Sequence, residues 1–434
     1  MEIIALILFI SIFILILYGY PVAFTLGGLS LLYAFCFLEP IALSALPLRI
    51  MGVMTNYVLI AVPLFIFMGI MLERSGLAES LLETMAILFG RLPGGLAISV
   101  VVVGALLAAS TGIVGATVVT MGLISLPTML KRGYKPELAT SSIAAAGTLG
   151  QIIPPSIVLI LLGSVLNRPV GALFKAALVP GFLLVGIYIL YIAIVAFAKP
   201  HTAPAMPPEA IRAFKDKGFV GRLVRAFVMP LLLIVAVLGS IFTGWATPTQ
   251  AAGVGALGAT LLTIVQRKFN LTTLNTVMRE TTHLTCMVFI ILLGATTFAF
   301  VFREMGGDLY LSELVQNANL SPMLFLLLVM LVVFIAGFFI DFIEIIFIIV
   351  PVVAPIFQQM GVDLVWVGIL IAINLQTSFL TPPFGFALFY LKGVAPPQIT
   401  TQQLYRGIVP FVIIQILFLL LVIFFPEIAI GTGK

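Results

Sequence analysis

Long apolar runs separated by short polar punctuation dominate the chain. Ile3–Tyr20, Phe227–Gly244 and Ile408–Phe425 contain no charged residue, and each is close to the roughly 20 residues a helix needs to cross hydrocarbon. The ~10-residue alternation of an outer-membrane barrel is missing. The pattern predicts membrane-spanning helices near 3–20, 22–38, 52–72, 136–167, 171–198, 227–244, 247–266, 283–302, 364–391 and 405–425.

Two further apolar stretches, 93–130 and 322–359, are interrupted near their middles by ASTGIVGAT (Ala109–Thr117) and GFFIDFIE (Gly337–Glu344). They read as re-entrant hairpins that enter and leave on one side. Each half then makes five crossings plus one hairpin, and because five is odd the second half sits upside down relative to the first. Sliding the halves so that Pro127 meets Pro355 also brings Gly133 onto Gly361 and Pro154-Pro155 onto Pro382-Pro383. Helix-breaking positions repeat where most side chains do not. The expected fold is an all-α polytopic membrane protein of two inverted repeats, 1–198 and 227–434, joined by a basic linker at 199–226. Gly76–Gly90 and Gly307–Asn319 alternate Leu with polar residues at helical spacing and read as arm helices lying flat at the interface.

Composition agrees with this class. The chain is 62% hydrophobic and 9% charged, where a soluble domain is roughly half apolar and about a quarter charged. Met1–Tyr20 reads as a retained first span, since it starts with acidic Glu2 and lacks a small-residue cleavage site. Cys36 and Cys286 lie in apolar segments and read as small hydrophobes. With the linker on the cytoplasmic side, every Lys and Arg except Arg49, Arg168, Lys175, Arg303 and Lys434 falls on that side, as the positive-inside rule asks. The net charge of +5 therefore needs no nucleic acid to explain it. The first hairpin is expected to open to the cytoplasm and the second to the outside.

GTLGQIIPPSIV (Gly147–Val158) breaks a helix where broken backbone costs several kcal/mol per unpaired group, so it belongs inside protein or against a polar cavity. The double proline removes two amide donors and frees carbonyls around Thr148–Ile153. Carbonyls and hydroxyls suit a small hard cation such as sodium, and half-helix N-termini suit an anion. Four breaks are expected to converge at the repeat interface: Ser110–Gly112, Asp341–Glu344, Gly147–Pro154 and Asn374–Pro382. Each feature also has an ordinary explanation. Ser110, Thr111 and Thr117 can bond back to their own helix, Asn374 and Gln376 can glue helices together, and Arg303 and Glu304 can mark an interface. Asp341 is harder to explain away, because a carboxylate in a Phe, Ile and Val segment is expensive. No GxxxxGK[ST], HExxH or GxSxG motif occurs, which argues against ATP hydrolysis and hydrolase chemistry. A secondary transporter fits better than a channel or a membrane scaffold.

The residues VPLFIFMGIMLERSG (62–76), LPTMLKRGY (126–134), AAGTLGQIIPPSI (145–157), TGWATPTQAAGVG (243–255) and the run from Asp341 through Pro351 to NLQTSFLTPPFG (374–385) resemble the large membrane subunit, DctM type, of the tripartite ATP-independent periplasmic (TRAP) transporters. The resemblance covers nearly the whole chain in order. It implies an elevator-type importer of a small organic anion, driven by sodium ions without ATP, in a bacterial or archaeal inner membrane. Cargo would come from a periplasmic substrate-binding protein, beside a small four-helix membrane subunit. By position it implies one sodium site from Ser110, Thr111 and Gly112 with Gly147, Thr148 and Gly150, and a second from Asp341 with Asn374, Thr377 and Thr381. Substrate would lie between, near Gln151, Pro154, Pro155, Gln376, Pro382 and Pro383. The first tip departs from the family pattern, with Thr111 for a usual Ser and Ile113 for a small polar residue. A stand-alone sodium–dicarboxylate symporter of similar architecture is the rival transporter reading.

Overall fold

Prolines and capping side chains start the helices where local chemistry favours it. Pro136 and Pro322 occupy first-turn positions of Pro136–Thr148 and Pro322–Ala336, where a missing amide donor does no harm. Thr247 and Thr400 close capping boxes with Gln250 and Gln403. Left-handed glycines, Gly76 and Gly306, precede the two arm helices Leu77–Phe89 and Gly307–Asn317, a backbone conformation that glycine adopts without steric cost.

The computed structural model describes residues 2–111, 114–207, 221 and 223–431, without the side chains of 108–111 and 225. Among the described residues the regular elements are helices, with no strand. Six of the described helices are long and apolar enough to cross a membrane, or seven if Phe342–Ile348 and Val350–Gln359, bent by 49°, form one span. Ten crossings were expected. The others are shorter apolar helices or are built from shorter pieces, among them Glu2–Leu17 and the broken pair Pro136–Thr148 and Ile157–Val165. The segment near 52–72 starts later, at Tyr57, after a separate helix Ala42–Met54. Leu271–Glu304 runs for 34 residues, about 51 Å at the helical rise, well beyond hydrocarbon thickness.

Both interrupted stretches turn back on themselves. In the first (Gly95–Thr111, then Val114–Lys131), the Leu96 amide donates to the Tyr134 hydroxyl at 3.2 Å, so the chain returns to its starting level. Burial pushes the Tyr134 phenol up to about 12, which keeps that hydroxyl neutral. In the second (Pro322–Ala336, then Phe342–Ile348 and Val350–Gln359), the Phe325 and Phe357 rings pack at a tilt with centroids 4.8 Å apart. The start of the linker straps the first hairpin's base. Gly94 N donates to Ala203 O at 2.9 Å, Lys135 N to Thr202 O at 2.9 Å, and Met206 N to Gly90 O at 2.8 Å. Residues 208–220 of the linker lie outside the described residues.

Several elements of the two halves fall at matching positions. Set so that Pro127 meets Pro355, Val114–Lys131 lies on Phe342–Gln359, Pro136 lies on Leu364, and Ile157 falls one residue before Phe386. Helix Thr401–Phe424 measures their directions. Gly407 packs against the Glu137 backbone, at the start of the first broken helix. Trp366 Nε1, at the start of the second, donates to Val422 O at 3.0 Å. These contacts stand about 22 Å apart along the helix, so the two broken helices start from opposite ends and run antiparallel.

Candidate functional site at the helix breaks

Each broken helix stops where proline withholds its amide. Pro136–Thr148 passes through a tight turn, Leu149–Gln151, and resumes as Ile157–Val165 after Pro154-Pro155. Leu364–Leu380 resumes as Phe386–Val394 after Pro382-Pro383. Both proline pairs are joined by cis peptide bonds. The first break is buried throughout, Gln151 to Ser156, whereas Pro383 and Phe384 of the second are exposed. There the Tyr405 hydroxyl donates to the Pro383 carbonyl at 2.6 Å.

Each break is packed by its own hairpin. The first lies against the incoming and outgoing arms of the first hairpin. A Cβ on Gly104 would come within 2.6 Å of the Ala146 Cβ, and one on Gly147 would meet Val118. The second lies against the tip of the second hairpin, where Phe339 stacks on Phe384 at 5.0 Å and Phe342 on Phe379 at 6.3 Å. Two contacts then cross between the halves. Ile157–Val165 packs on Phe342–Ile348. Tyr390, in Phe386–Val394, sits against Gly115 beside the first tip and within electrostatic reach of Asp341 at the second. Gly112 and Ile113, and the side chains of Ser110 and Thr111, lie outside the described residues.

The polar side chains sort into distinct roles. Thr148, Thr377 and Thr381 donate to Ala145 O, Ile373 O and Thr377 O at 2.8–2.9 Å. Each hydroxyl thereby closes on its own helix, the ordinary arrangement, while its oxygen keeps acceptor capacity. Asn374 Nδ2 donates to Met330 O at 2.6 Å, tying the second broken helix to the second hairpin, and its Oδ1 has no hydrogen-bond partner among the described residues. Asp341 caps helix Phe342–Ile348. Its Oδ1 accepts from Phe342 N at 2.7 Å, and Glu344 Oε2 accepts from Asp341 N at 3.2 Å. The hairpin tip is thus a capping box whose acceptors are both carboxylates.

Gln151 is fully buried with neither amide atom bonded. Tyr188 lies within reach of Gln376 and of Gln415, the three on three different helices. All three are fully buried and close enough to interact, yet none reaches hydrogen-bond geometry. The sequence reading passed over Tyr188, Gln415 and Tyr390. For Gln415 the signal was present, as the lone amide within the uncharged run Ile408–Phe425.

The arrangement groups carboxylate, amide and hydroxyl oxygens around two interrupted helices in an otherwise apolar bundle, the organisation of a transporter site. The family described as "Tripartite ATP-independent periplasmic transporter, DctM component" matches residues 9–428. The chain belongs to this family. A C4-dicarboxylate TRAP transporter large permease protein of Pseudomonas aeruginosa is 33% identical over 405 residues, 93% of this chain and 92% of the relative. A sialic acid TRAP transporter large permease protein of Vibrio cholerae is 29% identical over 94% of this chain and 93% of its own length. Among solved structures, the YdaH transporter of Alcanivorax borkumensis superposes with a TM-score of 0.65 over 92% of this chain and 91% of that one. At 15% identity that likeness is one of fold. The breaks and hairpins described above are therefore those of a DctM-type large permease subunit.

Proposed function

We propose that this DctM-type subunit imports a small organic anion together with sodium ions, by an elevator movement, after a periplasmic binding protein delivers the cargo. The observation that carries the reading is the pair of broken helices at matched positions, antiparallel along Thr401–Phe424 and each packed by its own hairpin. That geometry supports two inverted repeats, 1–198 and 227–434, around one central site. The family's name supports a periplasmic partner; a small four-helix membrane subunit completes the proposed assembly. The cargoes named for the two relatives above, C4-dicarboxylates and sialic acid, are both carboxylates, and isethionate, the cargo of another relative, is also an anion, which supports the class of substrate.

In this reading sodium is a co-substrate held by hard oxygen donors. One site draws on Ser110, Thr111 and Gly112 with Gly147, Thr148 and Gly150; the other on Asp341 with Asn374, Thr377 and Thr381. The anion lies between them, near Gln151, Pro154, Pro155, Gln376, Pro382 and Pro383, where half-helix N-termini offer amide donors and positive dipole ends. Sodium offsets the anion's charge there, so neither crosses favourably alone. The protein sits in the inner membrane of a bacterium or archaeon with linker 199–226 in the cytoplasm, the side that the Lys and Arg distribution favours.

Proteoliposomes with the subunit and its membrane partner should accumulate the anion only when the binding protein and an inward sodium gradient are both present. Equal uptake with choline, or uptake driven by ATP, would refute the proposal. Activity without any binding protein would point to a stand-alone symporter.

A further inference from the structure

Arg49, Arg168, Lys175 and Arg303 run against the charge bias of the chain, and two of them share a cavity. Arg49 and Arg303, far apart in sequence, line one cavity of about 270 Å³ whose wall includes Phe347 and Pro351 of the second hairpin. Ser164, at the far end of the first broken helix, and Asn56 supply further polar wall; Asn56 Nδ2 donates to Ser164 Oγ at 3.4 Å. Arg303 is partly compensated, because Asp308 Oδ2 lies 3.7 Å from its Nε and Glu304 also lines the cavity. Arg49 is exposed and makes no ion pair among the described residues, so its charge is uncommitted. Phe347 stands about 9 Å along its helix from Asp341, at 1.5 Å per residue. The cavity therefore reaches from the surface toward the central breaks, at the end of the molecule where the second hairpin has its base.

We infer that this cavity is an outer capture site for a small carboxylate, with Arg49 as its main contact, from which the anion passes along the second hairpin to the breaks. The inference rests on the transport reading above. A guanidinium pairs with a carboxylate through two parallel N–H donors, and a concave pocket with a few convergent polar groups suits a small molecule. An acidic surface of a docking protein would also be drawn to Arg49, but it would not need the cavity.

In proteoliposomes, Arg49→Gln should raise the half-saturating concentration of the carboxylate that the wild type accumulates by about tenfold, through lost electrostatic capture, with the maximal rate unchanged. Arg49→Lys should recover most of the loss. The affinity of the binding protein for the embedded complex, read by surface plasmon resonance, should match wild type. Separately, millimolar succinate should slow phenylglyoxal modification of Arg49, followed by mass spectrometry, where glucose at equal concentration does not. An unshifted half-saturating concentration, or labelling that succinate leaves unchanged, overturns the inference. So does weakened docking of the binding protein with uptake restored at higher binding-protein concentration, the mark of a protein contact. Labelling requires no transport, and loss of sodium dependence in the wild type would strike the transport reading alone, so the two failures are separable.

Discussion

Replacing Asp341 by Asn separates helix capping from ion binding at the second hairpin tip. The carboxylate accepts from Phe342 N at 2.7 Å, and Glu344 closes the reciprocal bond to Asp341 N at 3.2 Å. Asn caps about as well as Asp, so the loss is confined to the charge–dipole contribution, about 0.3–1 kcal/mol. Asp341→Ala removes the cap as well and should cost about 1 kcal/mol more. If the carboxylate also binds sodium, Asp341→Asn should raise the half-activating sodium concentration by tenfold or more, about 1.4 kcal/mol per tenfold, while the thermal midpoint barely moves. The assay is sodium activation of uptake at fixed anion concentration, paired with thermal unfolding of each purified variant. Wild-type sodium activation in Asp341→Asn, together with a destabilised Asp341→Ala, would show that the residue only caps, and would remove it from the site.

Three further expectations follow from particular contacts. Asn374→Ala takes away the donor to Met330 O, a carbonyl that its own helix still satisfies, so it should lower stability by about 0.5–1.5 kcal/mol, checked by thermal unfolding in detergent; an unchanged midpoint would mean the tie between broken helix and hairpin is dispensable. Gly407→Ala drives a Cβ into the Glu137 backbone, which cannot rotate away as a side chain would, and should cost about 1–3 kcal/mol. Gly186→Ala, where a Cβ meets nothing within 4 Å, is its control and should be close to neutral. Met206→Pro deletes the amide that donates to Gly90 O and should loosen the strap, speeding hydrogen exchange at the Gly94 and Lys135 amides by about fivefold, for a lost bond of about 1 kcal/mol; unchanged exchange would show that the strap holds without that bond.

Much of the architecture was legible because it is written in backbone chemistry. Pro154-Pro155 and Pro382-Pro383 stop helices wherever they occur, and the interruptions in 93–130 and 322–359 coincide with chain reversals whose bases close at Tyr134 and at Phe325–Phe357. The candidate site was legible in part. Thr148, Thr377 and Thr381 stand at the breaks, yet their hydroxyls close on neighbouring carbonyls. Asn374 divides its amide between a structural bond and an unpartnered oxygen.

By itself the sequence determined the membrane class and the positions of the proline breaks, since runs of apolar residues and proline pairs act locally along the chain. Only the tertiary structure decided that Tyr188 comes within reach of both Gln376 and Gln415, that Tyr390 sits against Gly115 within electrostatic reach of Asp341, that Arg49 and Arg303 line one cavity, and that residues 202–206 strap the first hairpin. The physical reason is that a helix apolar on every side carries no stripe to say which neighbour it will face. In such a bundle partners are chosen by close packing at small residues such as Gly407 and by a few polar pairs, between positions remote along the chain.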